Sequence, residues 1–116
     1  MPVIKVWCLP QETEEKLRRL HKTIVAAVVD VPELGLRDEN DMTVLFPTDM
    51  MTYGLGQEIV IEISVFEKPE RTGEVLNVLA ANVGGAFKWI YPNAKIEVSV
   101  DTFNPKQGFW SSESST

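Results

Sequence analysis

One cysteine and one histidine in 116 residues leave little room for several kinds of chemistry. Cys8 alone cannot close an internal disulfide, and with His21 it falls short of a zinc-binding set, so no metal is expected. Nothing in the chain spells a cofactor motif either, and none is expected. Basic residues are scarce: 11 Lys and Arg stand against 17 Asp and Glu, a net charge of −6. That balance offers no footprint for a phosphate backbone, and nucleic acid is not an expected partner. Long hydrophobic runs are missing as well. The longest, over 24–29, is far short of the roughly 20 residues that a membrane span needs. No charged-then-apolar leader opens the sequence, so a cytoplasmic protein without a membrane partner is expected.

What is present suits one folded domain. Hydrophobic residues make up 44% and charged residues 24%, a balance that supports a core and excludes wholesale disorder. Residues 3–9 are β-branched and aromatic and end at Pro10, which predicts a strand. Thr13 is placed to cap a helix with Glu14 and Glu15 in its first turn. Leu17, Leu20, Ile24, Val28 and Val31 then recur at helical spacing until Pro32. A charged stretch with Gly35 over 32–41 reads as a surface connection, and 42–46 as a short strand stopped by Pro47.

Shifted by 59 positions, the pattern returns. Pro69 stands at Pro10, Thr72 at Thr13, Glu74 at Glu15, Leu76 at Leu17 and Leu79 at Leu20, and Val83, Phe87 and Ile90 continue the stripe. Strands over 59–67 and 95–100 flank this second helix, so a βαβ unit is written twice. Neither unit can bury a face alone. The expected fold is therefore α+β, with the tandem units sharing a four-stranded sheet and both helices on one side. The whole chain, 1–116, is one domain: a first unit over 2–56, a second over 57–103 and a tail over 104–116. Val60, Glu62 and Ser64 face away from the helices, so self-association is expected to cover the open face. Gly84 and Gly85 inside the second helix predict a close packing contact. Phe109 and Trp110 predict that part of the tail docks.

Several residues carry chemistry. The chain opens Met-Pro, and removal of Met1 would make Pro2 a secondary amine at the start of a strand. An α-amino group titrates near 7.7 to 8.0, and burial or a nearby cation disfavours its charged form, which makes a neutral general base. A retained Met1 would turn that nitrogen into a non-basic amide. Arg71 lies just before the second helix, where the first unit has Glu12. Such a guanidinium can clamp a carboxylate and depress the pKa of an amine; the plainer reading is a solvated arginine pairing with Glu67, Glu70 or Glu74. Tyr53 precedes Gly54, Leu55 and Gly56 in a loop that could hold the ring over a pocket or simply pack it. Glu97 lies among apolar neighbours in the fourth strand, as a candidate site carboxylate or an ordinary solvent-facing position. Cys8 shares a strand face with Ile4 and Val6 and reads as a core residue rather than a nucleophile. His21 reads as a half-exposed helix residue.

A second-position proline opening the first strand, the duplicated βαβ unit and the Tyr-Gly-Leu-Gly loop together resemble the tautomerase superfamily, over nearly the whole chain. The segment VLFPTDMMTYG at 44–54 and the tail from Asn104 to Trp110 are similar to stretches in that family. The resemblance implies a homotrimer with one pocket per chain at the subunit boundaries. It implies a cofactor-independent tautomerase or isomerase whose amino-terminal proline moves a proton on a small enol or unsaturated keto acid. Pro2 would be the base, Arg71 the clamp for carboxylate and carbonyl, and Tyr53 a pocket wall. Thr43 and Glu97 stand where relatives can carry an arginine or a tyrosine, and Glu97 beside a proline resembles the hydratase and dehalogenase branches; hydration, dehalogenation or decarboxylation of an unsaturated acid is the alternative reaction in the same pocket. A non-catalytic oligomeric binding or signalling protein, and a ferredoxin-like ligand-binding domain, are the readings outside this chemistry.

Overall fold

Each helix begins where a threonine side chain takes up a free backbone N–H. Thr13 Oγ1 accepts from the Lys16 N–H at 3.1 Å, and Thr72 Oγ1 accepts from the Val75 N–H at 3.4 Å, the N-cap arrangement. The computed structural model, which describes residues 2–52, 54 and 56–113, carries the expected elements in the expected order. They are β1 (Val3–Trp7), α1 (Glu14–Val29), β2 (Thr43–Leu45), β3 (Glu58–Phe66), α2 (Gly73–Ile90) and β4 (Lys95–Phe103). The connection from α1 to β2 is not irregular throughout, since Pro32–Leu34 and Glu39–Asp41 each form one 3₁₀ turn.

The strands lie in the order β2-β1-β3-β4, parallel within each unit and antiparallel where the units meet. In that central pairing Ile4 stands opposite Ile63. The two are separated by the same 59 positions that align the units in the sequence, so a pseudo-twofold axis passes between them. Alternate residues of β1 and β3 (Ile4, Val6, Ile59, Ile61, Ile63 and Val65) join Leu20, Ile24 and Val28 of α1 and Val75, Leu79, Val83 and Phe87 of α2 in one buried core. The opposite sheet face holds exposed Lys5, Glu62, Ser99 and Asp101 among half-buried Val3, Trp7, Val60 and Phe66.

Three local expectations change. β1 stops at Trp7, and Cys8 adopts φ +70°, so it leaves the strand instead of joining the face of Ile4 and Val6. It lies half-buried with its sulfur 4.0 Å from Asp49 Oδ2. The reason is the loop returning to β3: a Cβ on Gly54 would collide with the Glu58 carbonyl oxygen and the Cys8 Cβ, so only glycine allows that approach. Gly84 does make a close contact, with space for a Cβ only 3.3 Å from Val98 Cγ2, whereas Gly85 faces open space. The tail docks through Phe109, whose ring meets Phe66 and Phe103, while Trp110 stays exposed. No helix among the described residues is long and apolar enough to cross a membrane.

Candidate functional site

Parallel pairing of β1 with β2 brings the start of one strand beside the start of the other: the Thr43 N–H donates to the Pro2 carbonyl at 2.8 Å. The residues just before β2 therefore gather around the start of the chain. The antiparallel pairing of Val3 with Ser64 brings the end of β3 and the turn after it to the same place. Between them lies a cavity of about 470 Å3 lined by Pro2, Arg37, Asp41, Phe66, Lys68 and Arg71, among others. Pro2 itself is buried.

Arg71 is the one buried charged residue among those described, only 8% exposed. Its Nη1 donates to the Phe66 carbonyl at 2.8 Å and its Nη2 to the Leu34 carbonyl at 3.1 Å, tying the turn after β3 to the 3₁₀ turn after α1. The Nε–H is buried and meets no acceptor. Burial lowers the Arg71 pKa, with Glu70 opposing, but a guanidinium stays charged at any physiological pH. A buried cation with an unspent donor favours an anion beside it. Arg37 and Lys68 add positive charge to the cavity. The single carboxylate, Asp41, is already engaged: it accepts from the Arg37 backbone N–H at 2.8 Å and lies 3.5 Å from the Arg37 Nε. That backbone N–H chiefly, with the Arg37 charge, holds Asp41 below the usual carboxylate range. Three cations against one paired carboxylate leave a positive cavity suited to a small acid.

The structure thus brings Pro2 and Arg71 to one cavity. Glu97 lies elsewhere. It pairs with Val60 across the sheet, four positions or roughly 13 Å of extended chain from the Val3–Ser64 pair, and its carboxylate bonds Lys95 Nζ at 2.9 Å. Tyr53 lies outside the described residues. His21, half-exposed, faces Glu39 at 4.0 Å. Arg37, Asp41, Phe66 and Lys68 went unnoticed in the sequence. Their signal was topological: a parallel βαβ unit places Arg37 and Asp41, before its second strand, beside the start of its first, and the antiparallel pairing of β1 with β3 brings Phe66 and Lys68 there.

At the opposite end of the pseudo-twofold the same positions carry other chemistry. A cavity of about 360 Å3 there is lined by Leu9, Glu12, Leu17, Phe46 and Asp49, among others, and Glu12, the counterpart of Arg71, pairs with Lys16 at 3.4 Å. The counterpart of Pro2 is Ile61, in mid-strand with no chain start. Among the described residues, one end of the pseudo-twofold combines a potential amine with a buried cation.

No protein-family model and no curated protein matches the chain. Solved structures do. Pt0534 inactivated by 2-oxo-3-pentynoate aligns with a TM-score of 0.72 at 15% identity, covering 95% of this chain and 92% of that one. Malonate semialdehyde decarboxylase, whose structures concern decarboxylase and hydratase activities, aligns at 0.65 and 18%, covering 98% and 92%. A wild-type fused 4-OT, an asymmetric trimer, aligns at 0.62 and 15%, covering 86% of each chain. These are tautomerase-superfamily structures, and what the chain shares with them at such identities is the architecture: it has the tautomerase-superfamily fold, α+β, with a four-stranded mixed sheet and two helices.

Proposed function

We propose that this protein is a cofactor-independent tautomerase or isomerase in which Pro2, freed by removal of Met1, is the general base toward a small enol or unsaturated keto acid. The observation that carries the reading is the shared cavity: Pro2 and the buried Arg71 line the same space. A free secondary amine there is neighboured by Arg37, Lys68 and Arg71, whose positive charges favour its neutral, proton-accepting form at neutral pH. Arg71 sets its positive charge beside the substrate carboxylate, and the surrounding cations hold the developing enolate oxygen. The amine accepts the proton from the enol oxygen, the O–H electron pair becomes the C=O bond, and the C=C pair takes a proton at carbon from the resulting ammonium. Atoms and charge balance without a cofactor. The fused 4-OT neighbour is a trimer, and a homotrimer would cover the open sheet face and supply the residues the cavity lacks on its outer side.

A second reading has its own observation. Asp41 places a carboxylate in the cavity, ionised by Arg37, where it could orient water toward an unsaturated acid; malonate semialdehyde decarboxylase shares the fold. Ketonisation of phenylenolpyruvate, followed by loss of enol absorbance, tests the first reading with wild type beside Pro2→Ala. Turnover lost in the variant, with fold and assembly unchanged, supports it; equal turnover in both overturns it. Hydrated or decarboxylated product from 2-oxo and acrylate-type acids would favour the second.

A further inference from the structure

The tail contributes to the cavity through one ring. We infer that Phe109 is a positioning residue that fixes the wall and the arginine of the Pro2 cavity by clamping Phe66; the inference rests on the reading of that cavity given above. Phe66 has three roles at once. It is among the residues that line the cavity, its carbonyl accepts from Arg71 Nη1 at 2.8 Å, and it ends β3, opposite Phe103 of β4. Its ring is held from two sides. Phe103 lies edge-on at 5.0 Å with an interplanar angle of 89°, and Phe109 edge-on at 5.0 Å and 75°, arrangements that aromatic quadrupoles favour. Phe103 and Phe109 close the triangle at 6.0 Å.

The segment between those two rings folds back in a way that serves this contact. Asn104 Oδ1 accepts from the Lys106 N–H at 3.0 Å, its carbonyl accepts from the Gln107 N–H at 3.1 Å, and Gly108 takes φ +72°, open to glycine at little cost. The reversal returns Phe109 to the sheet and leaves Trp110 84% exposed. At the other end of the pseudo-twofold no such ring contact is made among the described residues: Trp7, the counterpart of Phe66, turns its indole N–H to Glu62 at 2.7 Å. Among the described residues the clamp belongs to the end that holds Pro2 and Arg71. Phe109 is 44% exposed and lies outside the buried core, so its removal leaves the core packing intact while freeing the Phe66 ring and the carbonyl that holds Arg71.

The test compares Phe109→Ala, Phe109→Tyr and Trp110→Ala in ketonisation kinetics. Phe109→Ala is expected to raise KM about tenfold with a smaller change in kcat, the split expected when a carboxylate clamp loosens. Phe109→Tyr restores KM to within about twofold, and Trp110→Ala leaves both constants unchanged. Combining Phe109→Ala with Arg71→Ala should add little to the loss from Arg71→Ala alone, because both act through Phe66. Unaltered KM in Phe109→Ala, or losses that multiply in the double variant, would overturn the inference. A substrate-free arm separates it from the functional reading: denaturant midpoints of wild type, the Phe109→Ala, Trp110→Ala and Arg71→Ala single variants and the two double variants with Arg71→Ala should be non-additive for Phe109 with Arg71 and additive for Trp110 with Arg71. Additivity in both pairs overturns the clamp even if wild type turns over, whereas coupling without any turnover keeps the clamp and removes the proposed reaction.

Discussion

Replacing Arg71 by alanine should act on two quantities that can be measured apart. In the folded chain the guanidinium joins the Phe66 and Leu34 carbonyls and is 8% exposed. A hydrogen bond from a charged donor contributes about 1.5 to 3 kcal/mol, but the arginine also has a desolvation cost that alanine is spared. We therefore expect a net loss of about 2 to 4 kcal/mol. For a domain of this length the unfolding entropy corresponds to about 4 °C per kcal/mol, so Tm should fall by roughly 8 to 16 °C. Arg71→Lys keeps the charge and can reach only one carbonyl, so about half that loss is expected. On the proposed reaction the alanine variant also removes the carboxylate clamp, about 3 kcal/mol of transition-state binding, and kcat/KM should fall on the order of 100-fold. Thermal melts and ketonisation kinetics on the three proteins provide the two readouts. An unchanged Tm in Arg71→Ala would refute the tether between the two turns. A normal kcat/KM in a folded variant would refute the clamp.

Other expectations follow from contacts away from the cavity. Gly85 faces open space in mid-helix, so Gly85→Ala should raise stability by about 0.5 to 1 kcal/mol. Gly84→Ala meets Val98 Cγ2 at 3.3 Å, and denaturant melts should show it gaining less than Gly85→Ala or losing stability. The Tyr91 hydroxyl is buried beside Glu12, and burial, with the charge and a side-chain hydrogen bond of Glu12 adding, pushes its pKa up to about 12. Tyrosine in the unfolded chain ionises near 10, so the folded state holds its proton longer and stability should decline as pH rises from about 10 to 12. Tyr91→Phe should flatten that decline in urea midpoints taken across the range and cost little stability at neutral pH; an undiminished decline would assign it to other groups.

The repeat was legible because packing and capping each leave a strict spacing in sequence. Thr13 and Thr72, and the stripes behind them, specify both helices, and the Ile4–Ile63 pairing carries the same shift into the sheet. Strand ends were less legible. Cys8 looks like a continuing strand residue until the close approach of Gly54 turns the backbone, a contact between positions far apart in the chain. At the site, Pro2 and Arg71 announced themselves by a chain start and a broken symmetry. Arg37 and Asp41 did not, because a charged connection on the page becomes part of a cavity only once β2 is laid parallel to β1. For Glu97 the apolar neighbours left a site carboxylate and a solvent-facing position both open, and alternation turns it outward to Lys95.

The central claim is that the nitrogen of Pro2 is a working base, and the most direct measurement compares two forms of the same chain with masses verified intact: one beginning at Pro2, the other retaining Met1. The chain beginning at Pro2 should ketonise phenylenolpyruvate with a kcat/KM that rises through one ionisation lying below the ordinary amine range of 7.7 to 8.0, and the form with Met1 attached should be inactive. Equal rates from both forms would contradict the account, because an amide nitrogen cannot accept that proton.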